Sequence, residues 1–224
     1  MELNDNILQL LKNFATINQN ILIKKGNEIR TISEARNVLA KATLDVEFPI
    51  EFGIYDLNEF INVLSLVDTP RLSFNEEYVT VGDSTGRSKV KYFFSSSDTL
   101  TSPQKDITMP EPDVSFVLDN DTLNKIRRAA SALGHTEVSI TGKDGVINLS
   151  VLENSNVTSN SFSIDVDGTY SIDSFKFILN IGNLKILSGD YDVKISSKLI
   201  SQFIHKTSNV QYWIALEKTS TYGA

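Results

Sequence analysis

The sequence predicts an α+β fold of two similar domains, each an antiparallel sheet carrying two helices on one face. Three observations predict it. First, Asn4-Asp5-Asn6-Ile7-Leu8-Gln9-Leu10-Leu11-Lys12 is echoed 116 residues later by Asn120-Asp121-Thr122-Leu123-Asn124-Lys125-Ile126-Arg127-Arg128, each a polar cap followed by an amphipathic run. Second, Ile54-Tyr55-Asp56-Leu57-Asn58-Glu59-Phe60 is echoed 124 residues later by Ile178-Leu179-Asn180-Ile181-Gly182-Asn183-Leu184. Both offsets are close to half of the 224-residue chain. A period that long means two domains rather than a solenoid array. Third, the strand-like segments follow one another across hairpin-length turns, without the strand–helix alternation that builds a parallel sheet.

In the first half, a helix is expected from Asn4 to Ile17, then extended segments at Ile21–Lys24, Glu28–Thr31 and Asn37–Val46. Phe48–Tyr55 reads as one apolar strand with Pro49 near its start, where a missing N–H is tolerated. Asp56 is a good N-cap for a helix from Leu57 to about Leu66. Strands at Arg71–Phe74, Tyr78–Val81 and Ser88–Phe94 follow, the last two joined by a hairpin turn at Gly82–Gly86. Ser95–Asp113 holds three of the chain's five prolines and no hydrophobic period, so it reads as an extended connector between domains 1–94 and 114–224.

The second half repeats the order: strand Val114–Leu118, helix Asp121–Leu133, and strands near Val138–Thr141 and Val146–Val151. A polar loop at Glu153–Asn160 precedes strands Ser161–Val166 and Phe175–Leu179. Asp165–Gly168 reads as a turn. A short helix at Asn180–Leu187 and three closing strands ending at Val210–Glu217 complete it.

Composition limits the function. Apolar residues make up 41% of the chain, and its longest apolar runs fall well short of a membrane span. Met1–Asp5 has no basic or apolar leader pattern. There is no cysteine, which excludes disulfides, thiolate metal sites and cysteine nucleophiles. A formal charge of −7 argues against tight nucleic-acid binding by counterion release, which needs clustered Lys and Arg.

The positions of the basic residues are more informative than their number. At 100° per residue, Ile7, Leu10, Leu11 and Phe14 share one face of the first helix and Lys12 projects opposite. On the third helix Leu123, Ile126, Ala130 and Leu133 form the apolar face, with Arg128 opposite and Asn124, Lys125 and Ser131 beside it. Lys12 and Arg128 therefore occupy equivalent positions in the repeat. Solvated charge is the ordinary reading of such residues, but their matched placement in an acidic chain favours a role. The second helix shows Asn58, Glu59 and Asn62 outward, and the expected fourth carries Lys185.

Catalytic and metal-binding patterns are absent from the sequence. His135 and His205 stand in unrelated contexts. Asp165-Val166-Asp167-Gly168 lacks the remaining ligands of a calcium loop, and Gly82–Ser88 misses both the spacing and the lysine of a P-loop. No nucleophile elbow or hydrolytic triad is present. A non-enzyme without cofactors is expected.

Segments throughout the chain resemble the sliding clamps of T-even-type bacteriophages, members of the processivity-clamp superfamily. They are Leu10-Leu11-Lys12-Asn13-Phe14-Ala15-Thr16-Ile17-Asn18, Ile54–Asn58 continuing to Leu64–Val67, Gly189-Asp190-Tyr191, and Ala215-Leu216-Glu217 with Ser220-Thr221. The resemblance implies a clamp fold in a head-to-tail homotrimeric ring, with domain-edge strands pairing between subunits. It implies that the helices line a hole around double-stranded DNA, with Lys12, Lys125, Arg127, Arg128 and Lys185 facing phosphates without sequence specificity. Implied partners are a replicative DNA polymerase C-terminal peptide, an ATP-driven clamp loader ATPase, and a sigma-like factor or coactivator of late transcription. By the same resemblance the peptide would meet Leu100, Ile107 and Met109 of the connector and Tyr212, Trp213 and Ile214 of the closing strand. The implied location is the cytoplasm of an infected bacterium. The competing reading is a duplicated-domain structural or interaction protein of a virion.

Overall fold

The computed structural model describes residues 1–83, 85–153, 155–156, 158–172 and 174–223. It divides into two compact units, Met1–Asp106 and Ile107–Ala224. Every strand pairing within each unit is antiparallel among the described residues.

Unit 1 runs α1 (Asp5–Ile17), β1 (Ile21–Ile23), β2 (Gly26–Ile32), β3 (Val38–Phe48), β4 (Phe52–Ile54), α2 (Leu57–Leu64), β5 (Arg71–Phe74), β6 (Tyr78–Gly82) and β7 (Lys89–Phe93). β1 pairs with β4, β2 with β3, and β5, β6 and β7 form a three-stranded sheet with β7 at its edge. The helices pack on each other and bury Leu11, Phe14, Leu57 and Phe60. Phe48, Phe52, Phe74 and Phe94 form an aromatic cluster beneath the sheets, with centroids 5.0–6.2 Å apart.

Unit 2 runs β8 (Val114–Leu118), α3 (Asn120–Leu133), β9 (Glu137–Lys143), β10 (Val146–Val151), β11 (Phe162–Val166), β12 (Gly168–Tyr170), β13 (Ser174–Asn180), β14 (Tyr191–Ser196), β15 (Ile200–His205), β16 (Val210–Ala215) and β17 (Thr221–Gly223). One sheet has the order β11-β10-β9-β13-β17, and the strands β12-β8-β14-β15-β16 form another run.

Several expectations are corrected. The single strand over Phe48–Tyr55 is two, because Pro49 cannot donate to a ladder. Phe48 ends β3 opposite Gly26, and Phe52 opens β4 opposite Ile23. The second helix stops at Leu64, two residues early. The expected helix over Asn180–Leu187 is only a 3₁₀ turn, Ile181–Asn183, opened by the Asn180 side chain accepting from Gly182 N at 2.8 Å. Gly182, Asn183, Ser188 and Gly189 are all weak helix formers, which explains the failure to propagate. The closing strands are four, because Thr221–Gly223 pairs with Ser174–Lys176. The strand-connecting turn expected at Asp165–Gly168 narrows to Asp167, between β11 and β12, and Gly168–Tyr170 of β12 pair with Phe116–Val114. The connector contains a 3₁₀ turn at Ser97–Thr99, and the boundary between units falls inside it, after Asp106. The expected turn at Gly82–Gly86 and loop at Glu153–Asn160 include Ser84, Asn154 and Val157, which lie outside the described residues.

Candidate nucleic-acid interface

Both first-of-unit helices are capped by a side chain. Asn4 Oδ1 accepts from Ile7 N at 2.9 Å, and Asp119 Oδ1 accepts from Thr122 N at 2.7 Å. Each satisfies an amide that the helix itself leaves unpaired. These hydrogen bonds hold the Asp119 carboxyl below its ordinary pKa. The sequence echo aligned Asn4 with Asn120, one residue past the true cap. The buried faces nevertheless keep the 116-residue offset: Ile7, Leu10 and Phe14 correspond to Leu123, Ile126 and Ala130, all buried. α3 therefore starts one residue earlier relative to its packing face.

On that alignment Lys12 matches Arg128, and both are exposed. Arg128 Nε reaches back to Asn124 O at 3.4 Å. Lys125 is exposed and paired with Asp121 at 2.7 Å across one helical turn. Lys185 is exposed between buried Leu184 and Ile186.

Arg127 departs from the expected inner lining. Its counterpart in α1 is Leu11, only 1% exposed, so Arg127 stands at a core-facing position. The guanidinium turns inward: Nη2 donates to Leu184 O at 2.7 Å and Ile186 O at 3.0 Å. Burial draws its pKa below the ordinary arginine value, opposed by neighbouring Tyr191 and Tyr212. The chemical type of the residue suggested a phosphate contact, whereas its helical position already pointed to the core.

Those two hydrogen bonds belong to a larger arrangement. Residues 184–190 are neither helix nor strand, so their backbone groups need partners from elsewhere. Tyr212 Oη accepts from Leu187 N at 3.3 Å, and Tyr191 Oη donates to Leu187 O at 2.7 Å. His205 Nε2 lies 3.2 Å from Ser188 O, while its Nδ1 accepts from the amides of Thr207 and Ser208. Asn120 Oδ1 accepts from Gly189 N at 2.9 Å, and Asn120 N donates to Asp190 Oδ1 at 2.8 Å. Burial pushes the pKa of both phenols far above the ordinary tyrosine value. Gly189 has φ +147° and sits against the His205 ring, leaving no room for a Cβ.

The closing-strand half of the expected peptide site is core. Tyr212 and Ile214 are fully buried and Trp213 is 6% exposed. Trp213 Nε1 is a buried donor with no acceptor among the described residues. Leu100 rests its Cδ1 on the bare backbone of Gly53. Ile107 and Met109 are half-exposed. Among the described residues no cluster of His, Asp and Glu is arranged to hold a metal, and no helix is long and apolar enough to cross a membrane.

Comparison with known proteins accounts for this architecture. A family described as DNA polymerase processivity factor matches residues 4–101, and one described as the C-terminal part of the gp45 sliding clamp matches residues 115–218. The sliding clamp of Vibrio phage KVP40 is 32% identical over 224 residues, covering 97% of this chain and 99% of the relative. This chain belongs to the sliding-clamp family. The clamps of Escherichia phage RB69 and Enterobacteria phage T4 are 31% and 30% identical, each over 99% of both chains. Among solved structures, the proliferating cellular nuclear antigen of Entamoeba histolytica superposes with a TM-score of 0.69 over 94% of each chain. At 11% identity that likeness bears on the fold alone. The chain is thus a sliding clamp of the T4-like phage type, a DNA polymerase processivity factor built on the α+β clamp fold.

Proposed function

We propose that this clamp works as a closed homotrimer around double-stranded DNA, placed there by an ATP-driven loader. It tethers the replicative polymerase by that enzyme's C-terminal peptide, and it also serves late transcription through a sigma-like factor or coactivator. The reading that it has no catalysis of its own, and acts in the cytoplasm of an infected bacterium, belongs to the same proposal. So does the division into clamp domains 1–94 and 114–224 with a connector at 95–113.

The observation that carries the proposal is the matched pair Lys12 and Arg128, exposed at equivalent positions of α1 and α3 in an otherwise acidic chain. Encirclement makes sense of that charge balance, because a ring held topologically needs no strong phosphate affinity. Three copies of a −7 chain carry −21, which repels DNA outside the ring while sparse cations offset repulsion inside. Lys12, Lys125, Arg128 and Lys185 are the proposed lining. Ile107 and Met109 are the proposed apolar contacts of the partner peptide, acting through effective concentration rather than tight binding.

For the subunit contact we propose pairing of edge strands β7 and β11 of successive copies. β7 exposes Lys89, Lys91 and Phe93, and β11 exposes Ser163 and Asp165, so an antiparallel pair would unite opposite charges. The experiment that tests encirclement loads the protein on a nicked circle with loader and ATP, then linearises the DNA. Loss on linearisation is expected. Equal retention on circle and line would refute topological binding.

A further inference from the structure

α2 has a regular counterpart neither in fold nor in charge: where unit 1 places a helix with Asn58, Glu59 and Asn62 outward, unit 2 places the irregular segment 184–190 with Lys185 outward. The two carbonyls that flank Lys185, those of Leu184 and Ile186, are both held by the Nη2 of Arg127. The side chains of Leu184 and Ile186 are buried, and Lys185 between them is exposed. Arg127 lies between Lys125 and Arg128's turn of α3, and among the described residues it pairs with no carboxylate.

We infer that Arg127 is a positioning residue: it fixes the Lys185 backbone beside α3, so that Lys125, Arg128 and Lys185 form one cationic patch for the phosphates of a nucleic-acid backbone. Arg127 Nη2 commits its N–H donors to the carbonyls of Leu184 and Ile186, which ties the guanidinium to the segment. Tyr212, Tyr191 and Asn120 hold Leu187 and Gly189, Leu184 N donates to Ile181 O, and Arg127 joins the two carbonyls on either side of Lys185. This inference rests on the proposal that the α3 surface faces DNA.

The test is a double-mutant cycle on the intact protein. Association with a short labelled duplex is followed by anisotropy across a salt series, for the native chain, K185A, R127M and the double variant. A contact to one phosphate changes the slope of log affinity against log salt by about 0.9. The inference predicts that K185A and R127M each lower the slope by about that amount, and that the double variant lowers it no further. R127K, which keeps the charge but not the reach, is expected to fall with R127M; it also serves if R127M is too unstable to assay. Amide exchange over Leu184–Leu187 should quicken in R127M and R127K and stay native in K185A. An unchanged slope in K185A overturns the inference, as does additive loss in the double variant or a native slope in R127K beside a reduced one in R127M. Retention on circular DNA, measured in parallel with the native protein, separates failure of this inference from failure of encirclement.

Discussion

α2 and the segment 184–190 occupy corresponding places in the two units, and they are held by opposite means. α2 satisfies most of its backbone internally, with Asp56 Oδ1 accepting from Glu59 N at 3.0 Å and Gln19 O from Leu57 N at 2.7 Å, and it buries Leu57, Phe60, Ile61 and Leu64. The segment in unit 2 makes no such ladder and relies mainly on side chains, those of Arg127, Tyr191, Tyr212, Asn120 and His205, beside backbone bonds to Ile181 and Lys206. The difference extends to the neighbouring helix, where the apolar Leu11 meets a helix and its counterpart Arg127 meets open carbonyls. A duplicated sequence has kept its duplicated helix only where the chain could propagate one.

Exchanging the two seats should break the comparison most severely. Leu11→Arg puts a cation at a buried position facing an apolar helix whose carbonyls are already used, and a loss of about 4 kcal/mol in denaturant unfolding is expected. Gly189→Ala comes next, at about 3 kcal/mol, because the new Cβ meets the His205 ring at a backbone conformation that L-residues avoid.

Tyr212→Phe should cost about 1.5 kcal/mol by leaving Leu187 N without its acceptor. It also carries a pH signature. The folded pKa values of Tyr212 and Tyr191 are raised, so their contribution is complete below the unfolded value near 10.0 and is lost as pH rises above it. Stability should fall by up to about 1.4 kcal/mol per pH unit for each buried phenol, and the Phe variant should show the shallower fall. An equal alkaline slope in both would mean that Tyr212 does not titrate with unfolding.

Asp56→Ala removes the side-chain cap of α2, for about 1 kcal/mol, whereas its counterpart Asn180 caps only a 3₁₀ turn in unit 2. Smallest in stability is Lys12→Glu with Arg128→Glu, expected within about 0.5 kcal/mol of native because both side chains are exposed. Loading or sliding should nonetheless be impaired, and loss of trimerisation in that variant would mean that these helices face a subunit contact instead.

Much of this was legible from periodicity. The apolar stripes of α1 and α3 gave both helices, their burial and the outward cations, because a 3.6-residue period states which side is core. The hairpin strands were legible for the same kind of reason. What escaped depends on partners distant in sequence. Asn180–Leu187 carries the apolar spacing of a short helix, and nothing within it reveals that Tyr212, Arg127 and Asn120 offer its backbone better partners. Tyr212 and Ile214 entered the peptide site through the family resemblance, and alternation could not correct it, because it identifies a strand without saying what covers each face. Arg127 is the instructive case: residue type pointed outward and position pointed inward, and position won.

The two ways of holding these segments also imply an order of assembly. The helical bonds of α2 close over four residues, whereas the bonds that tie segment 184–190 to Arg127, Asn120 and Tyr212 span 57, 69 and 25 residues. Loops of that length close late, because their entropy is lost before any contact offsets it. A growing chain can thus complete α2 as soon as α1 is beside it, but segment 184–190 must wait until β16 has been made. Pulse-labelled hydrogen exchange during refolding should find the α2 amides protected first and those of Leu187 and Gly189 among the last.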